Sequence, residues 1–230
     1  MVVQQGSEAT AAATLPRDAS VPTTVPKTVP KSGINPERWA EILDAAGHTF
    51  NEKGYQAARI EDIAARVGIL RGSLYYYIDS KEDLLYALSF AGHSSGLRTI
   101  DEDAATSEAD APTRLAAFIE RWMAMMPSHP EYGPVTERDV RFLSDERRAQ
   151  VMEMRVKMHS YARRIFEQGI AEGDFDASID PGVATNSLFE LLNGTIRWFR
   201  PGGRLSHADV GAYYQKLVLH GIVRSGSTSG

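Results

Sequence analysis

The chain has 230 residues, a formal net charge of −5 and no cysteine. Disulfides, a thiol nucleophile and cysteine-ligated zinc are therefore excluded. No apolar run approaches the roughly 18 residues that a membrane-spanning helix needs, and the amino terminus lacks a secretory signal, which predicts a cytoplasmic protein without a membrane partner. The acidic balance disfavours nucleic acid as a partner. Residues 63–81 reverse it, because Arg66, Arg71 and Lys81 are accompanied there by a single acid, Asp79.

Residues 1–33 are predicted to be a disordered tail. Pro16, Pro22, Pro26 and Pro30 interrupt any helix in this segment. Its alanine, threonine, valine and proline residues show no periodicity, so they form no face that buries a core. We therefore expect the tail to lie outside the folded part of the chain.

From residue 34 onward the pattern is helical and predicts an all-α fold. Asn35 and Asp180 are each followed by proline, which is typical of a helix start, and Gly54 and Gly173 lie where helices are expected to end. Residues 225–230 follow the last helix and are predicted to be flexible. The predicted helices are 36–53, 59–66, 70–77, 80–100, 112–127, 134–142, 144–172, 181–199 and 206–223.

The residues from 60 to 77 have the pattern of a helix-turn-helix. Two short helices flank a turn that contains Gly68. Steps of about four residues in the second helix predict a buried side made by Leu70, Leu74, Tyr77 and Ile78.

The same spacing leaves an outward side on the second helix, made by Arg71, Gly72, Ser73, Tyr75 and Tyr76. The small residues at 72 and 73 let the helix approach the major groove of DNA closely. We interpret Arg71 and Ser73 as contacts to base edges, and the two tyrosines and Lys81 as contacts to phosphates. A helical hairpin with a solvated arginine and surface tyrosines is the alternative interpretation.

This region resembles the N-terminal domain of TetR-family repressors, with the family spacing kept over about 50 residues. The resemblance is carried by Phe50–Tyr55, Asp62–Ala64, Gly68–Leu70, Gly72–Tyr75 and Ser80–Leu84. It implies an all-α homodimer whose N-terminal domains, here residues 34–82, bind a palindromic double-stranded operator. It also implies that residues 83–224 form a larger helical domain for effector binding and dimerisation. In that family the positions matching Arg71, Ser73, Tyr75, Tyr76 and Lys81 commonly contact DNA.

Arg59 departs from the family pattern, in which threonine usually caps the second helix. Arginine has no acceptor for the helix N–H groups, so the cap must be lost or replaced. We expect its cationic side chain to reach a DNA phosphate instead.

A second, narrower resemblance lies in the back half, in Glu167–Phe175 and Arg197–Gly203. These segments are similar to KstR-type repressors, the TetR branch that controls lipid and sterol catabolism. That similarity implies an acyl-CoA thioester as the effector, and we expect no other cofactor. The predicted lining of an apolar tunnel includes Phe118, Trp122, Met123, Met126, Phe142, Met154, Met158 and Trp198, and the cations expected for the CoA are Arg163, Arg197 and Arg200. For each apolar residue taken singly, ordinary core packing is the alternative interpretation.

The last two predicted helices carry wider apolar faces than one core contact needs. Stripes such as Ala184, Leu188 and Leu191, or Tyr214 and Leu217, are typical of a four-helix dimer interface. A thoroughly buried terminal helix gives the same pattern, so the two interpretations stay open here.

Short patterns elsewhere in the chain suggest three functions that compete with DNA binding. Gly92–Gly96 fits the G-x-S-x-G elbow of esterases, but the expected strand–turn–helix context is missing, so we expect no enzyme activity. The six histidines lack metal-ligand spacing, so no metal is expected. A helical adaptor that binds protein instead of DNA remains the main alternative.

Overall fold

The computed structural model describes residues 34–104, 108–126 and 132–222. The secondary-structure elements within these ranges are all helices, which confirms the predicted all-α class. The predicted tail at 1–33 and the predicted flexible end at 225–230 lie outside the described residues. The elements are α1 (Pro36–Lys53), α2 (Ile60–Val67), α3 (Arg71–Leu74), α4 (Lys81–Ala104), α5 (Ala111–Met125), α6 (Tyr132–Asp139), a 3-10 turn (Val140–Phe142), α7 (Asp145–Glu172), α8 (Pro181–Trp198) and α9 (His207–Ile222).

The helix ends follow the local capping chemistry. The Asn35 side chain accepts a hydrogen bond from an N–H of the first turn of α1 at 2.8 Å, and Asp180 does the same at the start of α8 at 2.8 Å. Gly54 and Gly173 end α1 and α7 with positive φ values of 76° and 84°. The largest departure at a helix end is α4, which continues to Ala104 instead of ending near residue 100.

The molecule has two hydrophobic cores, and the long helices α4 and α7 contribute to both. The first core joins α1–α3 to the start of α4, and it includes the buried side chains of Phe50 and Leu74. The helix α6 and the start of α7 also pack into it, through Val135 and Val151. The second core lies among α5, α7, α8 and α9 around Phe118. The N-terminal head is therefore packed directly against elements of the larger helical domain.

Within the described ranges, no helix combines the length and apolar character needed to cross a membrane.

Candidate DNA-binding surface and effector cavity

The turn between α2 and α3 has the geometry that the sequence predicts. Gly68 ends α2 in the left-handed region (φ 73°, ψ 33°), and the N–H of Ile69 donates to the carbonyl of Ala64 at 3.0 Å. Ile63 of α2 and Leu74 of α3 are fully buried. The two helices thus pack through their apolar sides and leave the other side of α3 facing outward.

The helix α3 is shorter than the predicted 70–77. It ends at Leu74, and the following turn is held by a bond from the Tyr77 N–H to the Leu74 carbonyl at 2.9 Å. Leu70 precedes the helix in extended conformation (φ −70°, ψ 146°), so it is out of register with the buried stripe. The prediction that Leu70 is buried is therefore wrong, since 80% of it is exposed. The buried positions of Leu74 and Ile78 are confirmed.

The five residues predicted to face outward are exposed in the structure: Arg71, Gly72, Ser73, Tyr75 and Tyr76. Tyr76 is the most prominent aromatic of the group, with 78% of its surface exposed. A Cβ atom built on Gly72 would have no neighbour within 4 Å, so the space in front of this residue is open.

Arg71 is held in place by two neighbours on this surface. Its guanidinium lies 2.8 Å from a carboxylate oxygen of Glu61 and donates to the Tyr75 hydroxyl at 3.3 Å. Both members of the ion pair are more than half exposed, so solvent weakens the attraction and the pair is easily exchanged for another partner.

Lys81 occupies a different place from the one that the sequence suggests. Its ammonium donates to the carbonyls of Tyr55, Gln56 and Ala58 at 2.6, 3.2 and 2.8 Å. It also lies 4.5 Å from the ring centroid of Tyr55, and partial burial lowers the pKa of the lysine. Lysine has three N–H donors. The three N–H donors of Lys81 thus join the start of α4 to the α1–α2 turn.

Arg59 precedes α2 in extended conformation and its side chain is exposed. Asp62 in the first turn of α2 partly replaces the missing threonine cap, because its carboxylate accepts the backbone N–H of Arg59 at 3.0 Å. Lys53 binds the other oxygen of that carboxylate at 2.7 Å, and this hydrogen bond is the main reason that the pKa of Asp62 is lowered. One of the two hydrogen bonds of a capping box is thus retained without threonine.

A cavity of about 680 Å³ lies in the larger domain, between α4, α5, α6, α7 and α8. One part of its wall is apolar and is formed by Trp122, Met125, Met126, Met158, Phe189 and Phe199. Another part is polar and includes His93, Thr136, Arg155 and Asn193. A volume of this size is typical of sites for small organic molecules.

Three of the predicted ligand-binding residues line this cavity: Trp122, Met126 and Met158. The other apolar candidates lie elsewhere. Phe118 and Met123 are buried in the second core, whereas Phe142 and Met154 belong to the first. Phe142 stacks on Tyr55, with 5.5 Å between ring centroids. The predicted residues outside the cavity wall on the exposed surface are Arg163, Arg197, Trp198 and Arg200.

Sequence reasoning missed a polar pair in the cavity wall, His93 of α4 and Arg155 of α7. The Nδ1 atom of His93 lies 2.6 Å from the carbonyl of Ser89, and Arg155 Nε donates to His93 Nε2 at 2.9 Å. Burial lowers the pKa of His93 to about 4, so the ring is neutral at pH 7, donating from Nδ1 and accepting at Nε2. The available signal was the position of His93 on the buried stripe that begins with Leu85 and Ser89.

The G-x-S-x-G segment at residues 92–96 lies inside the continuous helix α4. Ser94 Oγ faces the sulfur of Met154 at 3.9 Å. The strand–turn–helix of a nucleophile elbow is absent there, so the esterase alternative is wrong for this segment. The described residues also contain no group of three or more histidine, aspartate or glutamate side chains placed to hold a metal ion.

An exposed helix-turn-helix joined to a helical domain with an internal cavity is the architecture of a DNA-binding regulator that responds to a small molecule. Residues 42–88 match the family described as bacterial regulatory proteins, tetR family. Residues 108–222 match the tetracyclin repressor-like, C-terminal domain. The chain belongs to the TetR family of transcriptional regulators.

Individual relatives agree with this assignment. The repressor KstR2 of Mycobacterium tuberculosis is 30% identical over 190 residues, which cover 82% of this chain and 94% of the relative. The solved structure of the ketosteroid transcriptional regulator KstR2 from that organism matches with a TM-score of 0.77 at 27% identity, covering 84% of this chain and 97% of that one. The structure of AibR in complex with isovaleryl coenzyme A and operator DNA has a TM-score of 0.68 at 22% identity, covering 78% and 97%, and shows the fold alone.

Proposed function

We propose that this protein is a homodimeric transcriptional repressor that binds a palindromic operator and changes its DNA affinity when a hydrophobic effector enters the cavity. The observation that carries the proposal is the exposed surface of α3 and of the turn that follows it, made by Arg71, Gly72, Ser73, Tyr75 and Tyr76, on a head that packs against the cavity-bearing domain. Membership of the TetR family favours this function over the helical adaptor. Because the partner is operator DNA, the protein acts in the cytoplasm, and its role is regulation without enzymatic turnover.

The outward residues of the head are proposed to make different kinds of contact with DNA. Arg71 and Ser73 are proposed to contact base edges in the major groove, since arginine binds guanine with two parallel hydrogen bonds. Tyr75, Tyr76 and Arg59 are proposed to contact phosphates, which position the head without reading sequence. The exposed Leu70 adds an apolar contact of the kind that recognises a thymine methyl group. Two heads in a dimer then require an inverted repeat whose half-sites lie about one helical turn apart, or somewhat more.

The proposed effector is an acyl-CoA thioester of lipid or sterol catabolism. Two comparisons support it: KstR2 is named as a ketosteroid regulator, and AibR, which shares the fold, was crystallised with isovaleryl coenzyme A. The apolar wall suits an acyl group, and the CoA must extend towards solvent. Arg197 lies 4.0 Å from Glu190, a residue of the cavity wall, so it and Arg200 are the exposed cations proposed for the CoA phosphates. The side chain of Arg163 already pairs with Glu167, so Arg163 is the least favoured of the three predicted cations as a partner for the CoA phosphates.

The function is tested by selecting DNA sequences from a pool of randomised duplexes, and by repeating the selection with a panel of acyl-CoA thioesters. We expect an enriched palindrome that is lost when one thioester is added. A palindrome that survives every thioester would retain the repressor and reject the effector class. No enrichment at low salt would reject DNA binding and favour the helical adaptor.

The contact assignments are tested with two variants on the selected operator. Arg71→Ala is expected to change which bases are preferred, because a base-reading residue is lost. Tyr75→Phe is expected to weaken binding to all sequences about equally, because only a phosphate contact is lost. An unchanged order of base preference in Arg71→Ala would contradict the assignment of Arg71 to base reading.

A further inference from the structure

The cavity wall contains a single lysine or arginine among the described residues, Arg155. Its Nε–H is used by His93 at 2.9 Å. Among the residues that the structure describes, no carboxylate lies within 4.0 Å of the guanidinium, and no protein acceptor lies within hydrogen-bonding distance of its two terminal nitrogens. Arg155 is partly buried and lines the cavity, so its unused donors are available to a ligand or to water there.

His93 fixes the orientation of this guanidinium. The imidazole is itself 8% exposed and is anchored by Ser89 of the same helix. The neutral ring accepts the Nε–H at its Nε2 atom, which leaves the terminal N–H groups of Arg155 unused. The two terminal nitrogens of the Arg155 guanidinium lie in one plane, and their N–H groups match a carboxylate, which binds arginine through two parallel hydrogen bonds.

The other charged groups of the wall lie on exposed residues. Glu137 and Glu190 both line the cavity, and the Glu190 side chain is 80% exposed. Solvent screens such carboxylates, whereas Arg155 is partly buried and is bonded to the buried His93. The apolar wall around Trp122 and Phe189 completes a site with one partly buried cation and a hydrophobic body.

We propose that Arg155, positioned by His93, binds a carboxylate at the end of the effector's acyl group remote from the thioester. The inference rests on the proposed function for the thioester, because the CoA must reach solvent and the opposite end must then point inward. The effector class becomes an acyl-CoA whose acyl chain or ring system carries a second, free carboxylate. A phosphate of CoA is the other source of an anion, and the test separates the two.

The test measures the affinity of the full chain for two probes of equal chain length by calorimetry. One probe is decanoyl-CoA and the other is 9-carboxynonanoyl-CoA, which differs by its terminal carboxylate. We expect wild type to bind the carboxylated probe at least about tenfold more tightly, the effect of one good charged contact. In Arg155→Met the two affinities are expected to fall within about twofold of each other, with decanoyl-CoA binding retained.

A matched control is Arg148→Met, the same substitution at an exposed position of α7 outside the cavity wall, which should keep the tenfold preference. His93→Leu should reduce the preference and His93→Gln should restore it, since glutamine again offers an acceptor to Arg155. Wild type that binds both probes without a preference for the carboxylated one overturns the proposal, and so does wild type that binds neither the two probes nor free sebacate. Equal weakening of both probes and of free CoA in Arg155→Met also overturns it, in favour of a phosphate contact.

The failure of this inference is distinguishable from the failure of the proposed function. Free sebacate and decanoate are measured alongside the thioesters. If sebacate binds through Arg155 while no thioester binds, the carboxylate site stands and the thioester effector is rejected. The operator selection decides the DNA-binding function independently of either result.

Discussion

The ammonium group of Lys81 stabilises the DNA-binding head from inside. It holds carbonyls 23 to 26 residues earlier in the chain, and so ties α4 to the α1–α2 turn. Lys81→Met removes three hydrogen bonds from a charged donor. We expect the free energy of unfolding to fall by about 1–3 kcal/mol, measured by urea titration.

The matched control is Lys53→Met, which removes a partly exposed ion pair to one carboxylate oxygen of Asp62. It is expected to cost less than about 1 kcal/mol. If Lys81→Met instead kept wild-type stability and reduced the salt dependence of operator binding by about one phosphate, Lys81 would be a phosphate contact as first predicted from the sequence.

The buried imidazole of His93 makes stability depend on pH. Its pKa is about 4 in the folded protein, because burial disfavours the charged ring and Arg155 adds repulsion, whereas an unfolded histidine titrates near pH 6.5. The contribution of the neutral ring is complete above that unfolded pKa. It is lost as pH falls from about 6.5 to 4, because the unfolded chain then binds the extra proton.

The difference between the folded and unfolded pKa values of His93 corresponds to about 3 kcal/mol in the free energy of unfolding. Urea titrations of wild type and His93→Gln between pH 6.5 and 4 check this value. Glutamine does not titrate, so the variant should lose about 3 kcal/mol less between pH 6.5 and 4. The carboxylates titrate in both proteins and cancel in the comparison. Parallel stability curves for the two proteins would show that the pKa of His93 is the same in the folded and unfolded states, which contradicts a lowered pKa in the folded protein.

At the scale of elements, α6 connects the cavity to the head. Its residues Tyr132, Gly133, Pro134, Thr136 and Glu137 contribute to the cavity wall. The Tyr132 hydroxyl donates to the Asp44 carboxylate of α1 at 3.2 Å, and Arg138 donates to the Phe50 carbonyl at 2.8 Å. A ligand that moves α6 therefore acts directly on α1, in addition to the route through the long α4.

We expect Tyr132→Phe to weaken the coupling between effector and DNA. The coupling is expressed as the ratio of operator affinities without and with the thioester found in the selection. The loss of one hydrogen bond between α6 and α1 costs about 0.5–1.5 kcal/mol, so this ratio should fall by about 2- to 10-fold. The ratio is measured by fluorescence anisotropy. Tyr86→Phe, which removes a hydroxyl contact to Gln150 between α4 and α7, should leave the ratio unchanged. Equal reductions in both variants would remove α6 from the coupling route.

Most helices were predictable because their signals are local. Proline after Asn35 and Asp180, and glycine at 54 and 173, act within one turn of the helix ends that they define. The exposure of Leu70 was missed because α3 begins one residue later than its apolar spacing suggests.

The site was less predictable than the fold because its contacts are distant in sequence. The carbonyl partners of Lys81 and the 62-residue separation of His93 from Arg155 leave no periodic trace. The division of methionine and aromatic side chains between core and cavity is decided by packing among five helices, which composition does not encode.

At the scale of the whole molecule, α8 and α9 present an apolar surface that one chain leaves uncovered. Tyr213 and Leu217, one turn apart on α9, are 68% and 63% exposed, and Val183 and Trp198 of α8 are 64% and 53% exposed. The buried side of α9 is instead formed by Val210 and Tyr214. Large exposed apolar residues grouped on two helices are typical of an interface.

We expect this surface to pair with its copy in the dimer, because regulators of the family dimerise and a palindromic operator requires two heads. Leu217→Glu places a charge in that interface and should convert the dimer to monomer, measured by size-exclusion chromatography with light scattering. Operator affinity should fall with it, since one head binds only a half-site. Val156→Glu introduces the same charge at a 40% exposed position on α7 and should leave the dimer intact. A Leu217→Glu variant that remains dimeric would place the interface on another face of the molecule.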